Sequence, residues 1–427
     1  MVDGSGEALL AVTGRNPGPD PAILAVRVNG RLASHAVLPA AVDIPVAVSL
    51  GRLPPGRHEV KVGSAWGPAA VTSDPAVTLA PPGDPLGVVL RHAPVLFGRT
   101  LPHLGGPLQN TSTDVPLLAW HRELAGGGGR VLEYSVLWSH EDGGTDGATL
   151  MARWGRTTDI EWVYRVAVDP RGDRIPGTAA YQGPGHAEVP FRGAFEDDHP
   201  LLQVATANNM MTDRVDGRLR FALAADATLP SGRAREVSME LHPWTFGVSA
   251  AEVEAAGLVD RRGGARWPAL GDPRHYLYLE VPTFRDPPGR ARSGLALGVR
   301  LAAGPEVFPS DHGRFDRAVV RDGPVATAIK LPPGTAIADV EAVLAFRVPL
   351  PGASDRIEVD GVTRGFLLDP CCRPGPSLIR GGRAATLTAS RPWAVVWEPS
   401  VHLAAVGARC RRASRPGGPG GRTRDAP

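Results

Sequence analysis

Apolar residues along this chain come in short runs, and within most runs they alternate with polar ones. In "RIEVDGV" (356–362), Ile357 and Val359 fall between Arg356, Glu358 and Asp360, and in "RVLEYSVLWS" (130–139), Leu132, Tyr134, Val136 and Trp138 share one parity. A period of two predicts strands with one covered face. Further runs of this type are "IPVAVSL" (44–50), "TDIEWVYRVAV" (158–168), "LLQVATA" (201–207), "HYLYLEV" (275–281), "SGLALGVRLA" (293–302), "AVLAFRVPL" (342–350) and "WAVVWEP" (393–399). "LGVVLRHAPVLF" (86–97), "LRFALAA" (219–225) and "REVSMEL" (235–241) are also taken as strands. In "AILAVRVNG" (22–30) both parities are apolar, so both faces of that strand are expected to be partly covered. One helix is expected, where Ser249 and Glu252 have capping-box spacing ahead of "VEAAGLV".

This pattern predicts an all-β, multi-domain β-sandwich protein with few short helices. The 427 residues suffice for two or three domains. Residues 1–82 read as a small immunoglobulin-like sandwich, with "LAPPGDP" (79–85) as a linker. Residues 86–290 read as a larger central sandwich, and 293–405 as a C-terminal β segment that is either separate or completes that sandwich. No internal repeat is apparent.

Composition supports this reading. Gly (52) and Pro (43) recur between the apolar runs, as a turn-rich β protein requires. Lys stands only at 61 and 330, so Arg carries the positive charge, and with abundant Ala, Gly and Pro this reads as high-GC codon bias. The net charge of +2 includes six arginines in residues 409–424, within a tail (406–427) expected to be disordered and basic. Without that tail the chain is slightly acidic, which argues against nucleic acid as a partner. No apolar run reaches the roughly 18–20 residues of a membrane span, and the first residues lack the basic region and apolar core of a secretory signal. The expectation is a soluble chain. Cys371 and Cys372 are adjacent and Cys410 lies in the tail, so at most one bridge is expected and a cysteine-only metal site lacks ligands.

Candidate chemistry concentrates in the central segment. In the run that contains Asp159 and Glu161, alternation places both carboxylates on one face with Thr157, Arg165 and Asp169. Trp154, Ile160, Trp162, Tyr164, Val166 and Val168 fall on the other, as a core surface. Just upstream, "SHEDGGTDG" (139–147) supplies Glu141, Asp142 and Asp146 among glycines. Oxygen-rich, glycine-bent loops suit calcium or magnesium, although the spacing is not that of an EF-hand. A solvated hairpin tip is the plainer alternative. His186 follows a glycine turn, and Asp197, Asp198 and His199 precede a run that ends at Asn208 and Asn209. If these converge, Asp159, Glu161, His186 and His199 are the metal ligands, with Glu141, Asp142, Asp197, Asp198, Asn208 and Asn209 contacting a ligand.

The order "HAPVLF" (92–97), "YSVLW" (134–138), Asp159-x-Glu161, Gly185-His186 and His199-Pro200 before a β run resembles the Vps62-related family. More distantly it is similar to the necrosis-inducing NPP1-like proteins. The resemblance spans residues 88–212 and implies a β-sandwich in which Asp159 and Glu161 with His186 or His199 hold a divalent cation beside a surface that engages membrane glycolipids. The chain departs from the pattern at Ile160, where those families carry Trp, and at Trp162, where they carry His.

Three readings follow. The first is a non-enzymatic module binding a glycan or lipid head group through the carboxylate and histidine site, with or without a divalent cation. The second is a carboxylate- or metal-dependent hydrolase. Against it, HExxH, G-x-S-x-G and P-loop patterns are absent from the sequence, and "AGGGGR" (125–130) reads as a hairpin turn. The third is structural, with Glu161 paired to Arg153, Arg156 or Arg165 across the sheet.

Overall fold

The computed structural model describes residues 5–18, 21–38, 42–99, 115–126, 129–141, 143–287 and 293–399. The tail, Cys410 and Asp142 lie outside them. Strands arranged in antiparallel sheets dominate, with four short α-helices among the described residues.

Two sheets make the N-terminal sandwich. Gly6–Arg15 pairs with Asp43–Leu53 on one side and with Ala70–Val71 and Ala76–Ala80 on the other. Ala22–Val28 lies between Arg31–Leu38 and Val60–Trp66. Ile23, Leu24, Ala25 and Val26 are all buried, as the apolar parities on both faces predict. The strand Asp43–Leu53 is shared with the next domain: Ser49 N donates to Ala222 O at 2.7 Å and Ala224 N to Ala47 O at 3.1 Å.

In the central domain a five-stranded antiparallel sheet runs in the order Ala187–Pro190, Ala180–Gly183, Asp159–Val168, Gly129–Trp138, Pro116–Gly126. The last two strands form the hairpin expected at the glycine run. A second sheet contains Phe195–Glu196, His199–Val204, Val95–Phe97 and Arg220–Phe221, with Met211–Thr212 beside His199–Val204. Tyr134, Trp138, Ile160, Tyr164, Val166, Leu202 and Phe221 are buried in one core.

The strand Tyr276–Asp286, grouped by sequence with the central segment, belongs instead to a third sandwich. It pairs with Gly323–Lys330 and with Arg356–Val362, which in turn pairs with Gly381–Leu387. The facing sheet contains Val307–Pro309, Gly294–Leu301, Val340–Val348 and Trp393–Trp397. Leu279, Val281, Val299, Val325, Val343, Ile357 and Val396 fill a separate core between them. The C-terminal strands, from Tyr276 on, thus enclose a core of their own, while Tyr276, Tyr278 and Phe366 of the same sheet pack into the central core.

Several expected elements change type. Pro85–Arg91 is a helix because Asp84 caps it, accepting from Leu86 N at 2.8 Å, and Pro85 occupies the first turn; only Val95–Phe97 of that run is strand. Val237–Leu241 is helical, not a strand. The helix expected at the capping box begins earlier, as Trp244–Ala255, so Ser249 and Glu252 are interior and cap nothing. The 139–147 loop is no hairpin tip: Asp146 accepts from Thr149 N at 2.9 Å and starts the helix Gly147–Trp154. That helix ends at Gly155 in the left-handed conformation (φ 66°) and lies against the third sandwich, where Thr327 Oγ1 donates to Ala152 O at 2.6 Å.

Candidate functional site

Asp159 opens its strand opposite Trp138, the last residue of the neighbouring strand, so the site lies at one end of the five-stranded sheet. The pairing passes from Tyr134 with Tyr164 to Ser135 with Trp162, leaving Val163 as an extra residue. This bulge breaks the expected alternation. Tyr164, Val166 and Val168 are buried as predicted, but Trp162 is half-buried with the Arg165 guanidinium 4.0 Å above its ring. Trp154 is not on the strand at all; it ends the preceding helix, where Arg153, Arg156 and Arg321 approach its ring at 4.4, 5.9 and 5.6 Å. Of the three tryptophans expected in the core, only Trp138 is there.

Asp159 is buried, accepting from Ile160 N at 2.8 Å and from Asn209 Nδ2 at 2.9 Å. Arg156, also buried, has a guanidinium nitrogen 3.8 Å from Asp159 Oδ1, bonds Glu236 at 3.1 Å and donates to Thr158 O. Burial alone would raise the Glu236 carboxyl, but Arg156, Arg321 and Arg235 outweigh it and hold it below its ordinary value.

Glu161, two residues on, faces a more open edge. Gln182 Nε2 donates to it at 3.0 Å and lies 2.7 Å from His186 Nδ1, which makes that nitrogen the acceptor of the amide proton. His186 stands 3.9 Å and Arg235 4.0 Å from Glu161. Burial, then the charge of Asp159, raises the Glu161 carboxyl against the opposing pull of Arg235. Glu141 joins from the preceding loop, which packs on the 206–209 turn: a Cβ at Gly143 would meet the Ala207 Cβ at 2.6 Å. Burial, reinforced by Asp159, pushes Glu141 up to about 7. In the same turn Thr206 Oγ1 donates to Asn208 Oδ1 at 2.8 Å, and Asn209 takes a left-handed backbone (φ 56°). Asn209 Oδ1 and Gln182 Oε1 are buried without hydrogen-bond partners.

Of the residues singled out by sequence, Glu141, Asp159, Glu161, His186, Asn208 and Asn209 therefore gather at this sheet end, with Asp142 outside the described residues. Asp197, Asp198 and His199 do not join them. The strand His199–Val204 leads from one place to the other, and six residues at ~3.3 Å each span roughly 17–20 Å. At its start, Asp197 sits in a tight turn (φ 52°) and Asp198 is 3.7 Å from Arg91. His199 is buried between Ala93 O at 2.9 Å and Glu7 of the N-terminal sandwich at 3.5 Å. Arg165 does not pair with Glu161; it binds Glu133 at 2.6 Å and Glu188 at 2.5 Å. Gln182, Arg235 and Glu236 carried no sequence signal, because only strand pairing and the helical 237–241 segment bring them here.

Among the described residues, no three His, Cys, Asp or Glu side chains converge on a point that could hold a metal ion. The orphaned oxygens of Asn209 and Gln182 have the donor chemistry of a hard-cation site, but the carboxylates around them are engaged by Arg156, Arg235 and Gln182 instead of forming a cage. Among the described residues, no helix is long and apolar enough to cross a membrane. No protein-family model matches the chain, and neither a curated protein nor a solved structure does.

Proposed function

We infer that the central domain is a non-catalytic binding module for a polyhydroxylated head group, carried by a glycan or a lipid, with Glu161, His186 and Arg235 as its ligand edge. One observation carries this reading. The polar relay Glu161–Gln182–His186 runs from a carboxylate 14% exposed to a side chain 55% exposed, and Gln182 Oε1 has no partner within the protein. Sugar hydroxyls are donors and acceptors at once, which suits a rigid edge offering carboxylate, imidazole and guanidinium. Asp159, Asn209 and Arg156 act behind this edge as positioning residues. A divalent cation would be a second ligand joining Glu161 and Glu141, recruited with rearrangement of their present partners.

The test is a thermal melt of the full chain in EDTA and then with calcium, magnesium, manganese or zinc, each with and without soluble monosaccharides, together with flotation on glycolipid-containing vesicles. Binding must raise the melting temperature. Loss of the shift or of flotation in Glu161→Gln at unchanged basal stability supports the reading; no shift and no flotation under any condition removes it.

A second reading is favoured by one feature, a buried carboxyl at about 7 (Glu141) under the influence of Asp159. That is the arrangement of a general acid beside a base. Turnover on a glycoside panel that disappears in Glu141→Gln would establish it in place of the first.

A further inference from the structure

The solvent face of the C-terminal sandwich carries a groove of about 590 Å³ across Tyr276–Asp286, Arg356–Val362 and Gly381–Leu387. Its volume lies within the ~300–1,000 Å³ usual for small-molecule sites. Strand register builds it. Phe284 stands opposite Glu358 and Glu358 opposite Thr386, forming one row across the sheet, and Asp360 opposite Ala384 belongs to the next. Glu358 and Asp360, two apart on one strand, share the solvent face, since Ile357 and Val359 between and beside them point into the core. The short side chains of Pro282, Pro324 and Ala384 keep the floor low, so the Phe284 ring stands clear, 52% exposed, and Arg391 completes the lining.

Two features mark this as more than a bare sheet face. The side chains of Asp360, Thr386 and Arg391 make no hydrogen bond or ion pair among the described residues, so their bonding capacity is uncommitted. Charges of both signs also stand in and beside the groove, Glu358 and Asp360 with Arg391 in its lining and Arg356 at its edge, 3.5 Å from Glu358 and 2.8 Å from Asp286. An ionic ligand would meet a like charge at either end, whereas a neutral polyol would not. A pyranose ring has an apolar C–H face for an aromatic ring and a rim of hydroxyls that both donate and accept.

We propose that this groove binds a neutral sugar, its C–H face stacked on Phe284 and its hydroxyls donating to Asp360 and Glu358 and accepting from Arg391. The site is on a different sandwich from the Glu161 cluster and does not depend on the function assigned there.

The experiment is affinity electrophoresis of the full chain through native gels containing soluble starch, xylan, glucomannan or mixed-linkage β-glucan. Retardation by at least one is expected. It is lost in Phe284→Ala and weakened at least tenfold in Asp360→Asn. Phe284 is surface-exposed, so a melt matching wild type verifies that the variant is folded. No retardation by any of the four, or retardation equal in wild type and Phe284→Ala, overturns the proposal. Retardation lost in Glu161→Gln but kept in Phe284→Ala also overturns it and assigns sugar binding to the central domain.

Discussion

His199 Nε2 lies 3.5 Å from Glu7 Oε2, joining the central domain to the first strand of the N-terminal sandwich through two buried side chains. Burial alone would depress the imidazole, but Glu7 outweighs it and raises His199 above its ordinary value of 6.5. A base whose folded value is raised contributes stability that is complete below its unfolded value, near 6.5, and is lost as pH climbs through the folded one. Nearby His35, which burial, then the charge of Arg27, pushes down to about 4, itself costs stability as pH falls from 6.5 to about 4, but equally in wild type and variant, so it cancels in their difference. Glu7→Gln is expected to destabilise by roughly 1–3 kcal/mol below pH 6 and by less at pH 8.5. Urea unfolding at both pH values checks this; an equal loss at both would mean that His199 is neutral in the folded protein.

Asn209 serves the site in two separable ways. Its side chain donates to Asp159, and its backbone occupies the left-handed region that Asn and Gly tolerate. Asn209→Gly keeps the turn and removes the bond, at a cost of about 1.5–3 kcal/mol for a hydrogen bond to a charged group. Asn209→Ala adds left-handed strain of ~1 kcal/mol. Denaturation of both variants separates the terms, and equal stabilities would show that backbone strain at 209 is negligible.

The C-terminal glycine of the Gly147–Trp154 helix makes a similar case. Gly155 has φ 66°, and a Cβ there would come within 3.0–3.1 Å of the Thr327 backbone in the third sandwich. Gly155→Ala therefore combines a left-handed penalty of about 1 kcal/mol with displacement of the helix from that strand. Its melting temperature should fall by several degrees, more than for Gly177→Ala, where φ is also positive (76°) but nothing lies within 4 Å.

What the sequence made legible follows from the range of each signal. Strand alternation is local, so the β architecture could be read, and so could the shared face of Asp159 and Glu161. Helices were missed where cap chemistry overrode the apolar pattern, as at Asp84-Pro85 and Asp146. The site was half legible for a geometric reason. Asn209 reaches Asp159 because the 206–209 turn returns to the sheet end, while His199 lies at the far end of the strand leading to that turn. Gln182 enters through pairing of Tyr164 with Tyr181 across strands, which no local pattern encodes.

Glu252 offers the sharpest pH test of the fold. It lies inside the helix Trp244–Ala255 and is buried, and its carboxyl makes no hydrogen bond or ion pair among the described residues. Burial alone pushes its carboxyl up to about 8. Below pH 4.5 the group is protonated folded or unfolded and has no effect on stability. Between 4.5 and about 8 the unfolded chain releases a proton that the folded chain retains, so stability falls by up to ~1.4 kcal/mol per pH unit; above 8 the penalty is constant. Glu252→Gln removes this term while keeping the shape of the side chain. Its melting temperature should match wild type near pH 4.5 and exceed it increasingly from pH 6 to 8. If the two proteins lose stability in parallel over that range, the Glu252 carboxyl ionises in the folded state and the helix packs differently around it.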